Sequence, residues 1–112
     1  MSAHVFHVSP DGPAISSAAD VVELSYADGA DGADWIAVPV ARLDPAFFDL
    51  RSGVAGDLVQ ACANYGIRLA LVGDITAHVA GSQAFGAFAG ESNRGRHVWF
   101  VADEAELRRR LG

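Results

Sequence analysis

The stretch NYGIRLALVGD, residues 64 to 74, decides how the rest of the chain is read. Ile67 to Val72 is a short, continuously apolar run rich in β-forming side chains, which suits a strand covered on both faces better than one with a wet side. It closes on Gly73-Asp74, a turn signal, and it follows a helical pattern with almost no connection. A strand that follows a helix so closely is the second half of a crossover unit, so parallel pairing is expected.

Working upstream, Val54, Leu58, Cys62 and Tyr65 fall at spacings of four, four and three, which stacks them on one helical face. Gly66 stands where a helix ends in a left-handed residue at no Cβ penalty. Before that helix, Trp35 to Val40 is again apolar on both alternating faces. Pro39 removes one ladder donor there, so the strand is expected to fray or bulge near its end. Downstream, His97 to Val101 repeats the strand pattern. Between Ile67 to Val72 and His97 to Val101, Ser82 to Glu91 offers an amphipathic helix with Phe85 and Phe88 three apart, weakened by Gly86 and Gly90. Asp103 and Glu106 have the spacing of a capping arrangement for a last helix, and Arg108 to Arg110 lie near its negative end.

At the amino end, His4 to Val8, then SPDGP, then AIS, predicts a β-hairpin, because Pro and Asp-Gly supply the φ values of a reversal. Ser17 is positioned to cap a helix through Tyr26, with Val21, Val22 and Leu24 inward, and DGADGAD then forms a solvated acidic loop. The expectation is a single α/β domain over residues 1–112, with a predominantly parallel mixed sheet of about five strands, about four helices and an N-terminal hairpin.

Composition narrows the classes of function. The chain has 112 residues, of which 51% are apolar and 20% charged, enough for a core without metal or disulfide staples. A net charge of -6 disfavours nucleic acid and anionic membrane surfaces as partners. Cys62 is the only cysteine, so no intrachain disulfide can form. With no secretory pattern and no run of about 18 apolar residues, the expectation is a cytoplasmic protein.

The candidate site is FFDLRSGVAG, residues 47 to 56. Asp44 can cap and Pro45 can begin a single helical turn, leaving Phe47 and Phe48 as anchors. The two rings either close the end of the sheet or serve as docking aromatics. Asp49 and Ser52 lie around the start of the next helix, where each side chain can accept from free backbone amides. The same donors and the positive helix end would stabilise a phosphate on or near Ser52, with Gly53 beside it and Arg51 adding a charge-assisted bond. The simpler reading leaves Ser52 as a cap alone. A pocket of Asp49, Ser52 and Asp74 is the alternative, since Asp74 follows a strand end where open α/β sheets place ligands.

No catalytic motif stands out. Ser52, Asp74 and His78 have the residue types of a triad, but the glycine spacing of a nucleophile elbow is missing. His4, His7, His78 and His97 lack ligand spacing, so no metal is expected, and no cofactor motif occurs. Cys62 lies on the buried stripe and reads as a small core residue. The ESNRGR run, Glu91 to Arg96, is a helix end feeding a strand. Asn93, Arg94 and Arg96 could hold an anion, but a turn entering a parallel strand lies opposite the Ser52 rim.

The order of elements, with a serine just after the Trp35 strand, resembles the STAS domain (sulfate transporter and anti-sigma factor antagonist). In many STAS domains a serine followed by glycine and an aliphatic residue opens the second helix and accepts a phosphate. The matching residues here are Ser52-Gly53-Val54, preceded by Asp49-Leu50-Arg51 rather than by an adjacent aspartate. The stretches FFDLRSGVAG, NYGIRLALVGD and ESNRGRHVWFVAD are similar to a bacterial family, the domain of unknown function 4180. That likeness covers about half the chain, Phe47 to Asp103. It implies a STAS-like fold and no established activity. The function expected from these readings is a non-catalytic regulatory or protein-interaction domain, with a docking edge at Phe47 to Gly56 and Ser52 as its switch. A protein partner is expected, a homodimer through an edge strand being one form, and the alternative is a small-molecule binding protein or hydrolase-like enzyme.

Overall fold

A computed structural model describes residues 3–112. Four strands, β1 (Val5–His7), β2 (Trp35–Pro39), β3 (Leu69–Val72) and β4 (Val98–Val101), form one sheet in the order β1-β2-β3-β4. Every pairing is parallel, with Val5 against Trp35, Ile36 against Leu69 and Leu69 against Val98. The helices are α1 (Ala18–Ser25), α2 (Val54–Tyr65), α3 (Thr76–Gly81), α4 (Gln83–Arg94) and α5 (Glu104–Leu111).

Local chemistry sets their ends. Ser17 and Asp20 form a reciprocal capping box on α1, Ser82 accepts from the Phe85 amide to start α4, and Asp103 accepts from the Glu106 amide to start α5. Gly66 closes α2 with a left-handed φ of 65°. Strand β2 stops at Pro39, and Val40–Arg42 already form a 3-10 turn.

Helices α1, α2 and α4, which lie between the strands in sequence, pack on one face. Val21 of α1, Leu58 and Cys62 of α2, and Phe85 and Ala89 of α4 form one buried cluster with Ile36, Val38, Leu69, Leu71, Val98 and Phe100. On the other face a smaller cluster gathers Trp35, Ala37, Ala70 and Val101 beneath Leu107 of α5. There Trp35 and Trp99 stack at 4.0 Å, and the Arg110 guanidinium sits 3.7 Å from the Trp99 ring centre. A strand order that never reverses leaves no topological switch point, the crevice in which open α/β sheets usually hold ligands.

The N-terminal hairpin does not form, and the sheet has four strands among the described residues, all parallel rather than mixed. Val5–His7 pairs in parallel with β2, while Ile15 makes an isolated parallel bridge with Leu43. The loop between them is held from a distance: the Arg42 guanidinium donates to the carbonyls of Ser9 (2.8 Å), Pro13 (3.1 Å) and Asp11 (3.4 Å). Three carbonyls wrapped on one cation offset the local preference of Pro-Asp-Gly-Pro for a reversal. Tyr65 also departs from the predicted stripe. It is 66% exposed, and the buried face of α2 is Ala55, Leu58, Ala61 and Cys62.

Candidate functional site

The rim between β2 and α2 is a series of tight turns, each fixed by a side chain. Asp44 accepts from the Ala46 amide at 2.8 Å and Pro45 starts a 3-10 turn through Phe48. Asp49 then accepts from the Arg51 amide (3.1 Å) and from Arg51 Nε (3.2 Å), starting a second turn, Leu50–Ser52. The Arg51 side chain and amide hold the Asp49 carboxyl below the usual aspartate range. Gly53, at φ 83°, turns the chain into α2, a conformation that costs a residue with a Cβ about 1–2 kcal/mol.

Ser52 ties these turns to the helix. Its hydroxyl donates to the Ala46 carbonyl at 2.6 Å and accepts from the Val54 amide, the first of α2, at 3.2 Å. The side chain lies exposed at the helix start, so the serine stands at the donor-rich rim that its spacing predicts. The N-cap position itself belongs to Gly53, one residue later. Arg51 points into solvent, its side chain 92% exposed.

The two phenylalanines part company. Phe47 is 1% exposed and meets Phe48, Phe85, Phe88 and Phe100 at centroid distances of 5.3 to 6.4 Å, in edge-to-face and tilted contacts. It closes the core and offers no surface to a partner. Phe48 is half-buried and stacks flat on His78, 3.7 Å between ring centres and 8° between planes.

The remaining candidates are engaged elsewhere. Asp74 accepts from the Thr76 hydroxyl and from its amide, and these bonds lower its pKa in that order of weight. It lines a cavity of about 260 Å³ with Thr76, Asn93, Phe100 and Glu106, which neither Asp49, Ser52 nor His78 lines. No hydrogen bond joins Ser52, Asp74 and His78, since the serine proton goes to Ala46 and the aspartate serves Thr76. Asn93 accepts from the Phe100 amide on the outer edge of β4, and Arg94 pairs with Glu91. Within the basic run, Arg108 pairs with Glu104 and Arg110 donates to the Asn93 carbonyl, as befits a helix terminus. Cys62 is buried, and burial pushes its thiol up to about 12. No group of three His, Cys, Asp or Glu able to hold a metal occurs among the described residues.

One cluster was not legible in the sequence. His7 Nε2 and Arg108 Nε both bond Glu104 Oε1, at 3.0 and 2.9 Å, joining β1 to α5 across 97 positions. Burial raises the Glu104 pKa, but the hydrogen bonds and charges of His7 and Arg108 outweigh it and the net shift is downward. Only the Glu104–Arg108 spacing of four could have hinted at it.

These features define a compact α/β protein with a four-stranded parallel sheet, helices on both faces and a serine-bearing rim. The chain belongs to the family described as a domain of unknown function, DUF4180, which it matches over residues 1–111. No curated protein and no solved structure matches it significantly. No helix among the described residues is long and apolar enough to cross a membrane.

Proposed function

We propose that this chain is a non-catalytic regulatory or protein-interaction domain of the cytoplasm, that its docking edge is the rim from Phe48 to Gly56 with Phe47 as its buried root, and that Ser52 is a phosphorylation switch. The observation that carries the reading is the position of the Ser52 hydroxyl, exposed yet serving as the one side-chain tie between the Ala46 carbonyl and the first amide of α2. A kinase using a nucleoside triphosphate would form a P–O bond at Oγ, release the diphosphate and take away the proton that now bonds Ala46. The ester would add nearly two negative charges beside the free amides of α2, which favour an anion. Loss of the Ala46 bond would loosen the turn that carries Phe48 and its stack on His78, so the docking edge would change in both charge and shape. The likeness of Ser52-Gly53-Val54 to the serine, glycine and aliphatic run that opens the second helix of many STAS domains supports the same reading by analogy. An edge-strand homodimer would use β1, whose three residues make a weak template.

The test is intact-mass and phosphosite analysis of the protein from its native cells, beside a Ser52→Ala control. A phosphate on Ser52 and a partner retained by one state and lost by the other is the expected result. An unmodified Ser52 under all growth conditions would remove the switch. Partner capture unaffected by Phe48→Ala and Arg51→Glu would remove the docking edge.

A further inference from the structure

The opposite end of the body carries a second unpartnered surface. Among the described residues the large apolar side chains most open to water are Tyr26 (83% exposed) and Tyr65 (66%), followed by Val79 (39%). Tyr26 caps the carboxyl end of α1, and Tyr65 is the last residue of α2. The two helices pack on each other, and both run back from the carboxyl ends of the parallel strands to their amino ends, so both tyrosines stand at the same end. A depression of about 200 Å³ under Tyr65 and another of about 420 Å³ under Tyr26 share Ser25 as a common wall.

The electrostatics of this end are one-sided. Neither α1 nor α2 has a basic residue in its last turn, whereas Arg94 serves α4 and Arg108 to Arg110 serve α5. The negative end of α1 is thus left without a cation in its last turn, while Arg68, just beyond the α2 cap, is the one cation near the end of α2. Asp28 and Asp31 line the depression under Tyr26, and neither carboxylate has an ion-pair partner among the described residues. Asp34 lines the other and accepts from the His4 amide, while Arg68 is the single cation on the combined wall. Around Tyr26 an exposed aromatic face, the unpaired carboxylates of Asp28 and Asp31 and the uncompensated end of α1 favour a bound cation on three counts, against the one charge of Arg68 beside Tyr65.

We infer that the Tyr26–Tyr65 end is a docking surface for a basic, arginine- or lysine-bearing segment of a protein partner, independent of the Ser52 rim. The test uses isotope-labelled full chain and two capped peptides of about twelve residues, one alternating Arg and Gly and the other alternating Glu and Gly. The Arg-Gly peptide should shift the amides of residues 25 to 34 and 65 to 68 saturably, and raising NaCl from about 20 to about 200 mM should weaken it several-fold. Tyr26→Ala and Tyr65→Ala should each reduce its affinity roughly threefold, and Asp28→Asn with Asp31→Asn should do likewise. Ser52→Ala should leave it unchanged, so failure of the phosphorylation switch does not bear on this surface. The substituted side chains are exposed, and the rest of the amide spectrum reports that the fold is kept. Equal binding of the Glu-Gly peptide, shifts spread over the whole acidic surface, or affinity indifferent to both tyrosines would each overturn the inference.

Discussion

Replacing Phe47 by alanine distinguishes a core ring from a docking ring. Phe47 is 1% exposed and touches four other phenylalanine rings, so its loss removes both buried area and edge-to-face contacts. Buried Phe→Ala substitutions cost about 3–5 kcal/mol, and a site walled by rings of fixed geometry collapses poorly, which argues for about 4. With an unfolding entropy of about 2.1 cal/mol/K per residue, the whole chain has about 0.24 kcal/mol/K, so Tm should fall by about 17 °C. That is a large share of the ~5–15 kcal/mol typical of a domain. Phe47→Leu, which keeps most of the volume, should lose less than half as much. Calorimetry and urea titration followed by Trp fluorescence measure both variants, and the leucine variant preserves the comparison if the alanine variant does not fold. A surface docking residue would change stability by less than about 0.5 kcal/mol. A Tm drop under about 5 °C for Phe47→Ala would therefore refute its place in the core.

Three further outcomes follow from single side chains. With its thiol pushed up to about 12, native Cys62 should react with iodoacetamide at pH 8 at least about 10³-fold more slowly than in urea, and comparable rates would contradict its burial. Because the Glu104 pKa is lowered, its contribution to stability is present above the unfolded value of about 4.3 and lost as pH falls through the folded value. Urea midpoints from pH 7 down to about 2.5 should show that acid limb flattened in Glu104→Gln. Gly53→Ala should destabilise by about 1 kcal/mol through its φ of 83° alone, since a Cβ there meets nothing within 4 Å, and a neutral result would rule out the left-handed cap.

The candidate rim was legible in its parts and not in its assembly. Asp44-Pro45 as a turn start and a serine hydroxyl beside the start of α2 were both readable, because capping involves residues two to four apart. That Phe47 would be sealed while Phe48 stacks on His78 was not, since neighbouring residues on a tight turn point in different directions that only the surrounding elements select. Nothing local to Asp74 told that its cavity would form with Asn93 and Glu106 rather than with Ser52.

By itself the sequence determined the α/β class, the parallel pairing of β2, β3 and β4, the helix ends at Ser17, Gly66, Ser82 and Asp103, and the burial of Cys62. All of these follow from periodicity and short-range hydrogen bonding, which need no distant partner. The tertiary structure alone decided that β1 pairs in parallel with β2, that Ile15 bridges Leu43, and that Tyr26 and Tyr65 share an open end. The reason is physical: a turn motif such as Pro10-Asp11-Gly12-Pro13 has only a modest local preference, and the three Arg42 hydrogen bonds from about 30 positions away, together with the burial of Ile15 beside Leu43, outweigh it.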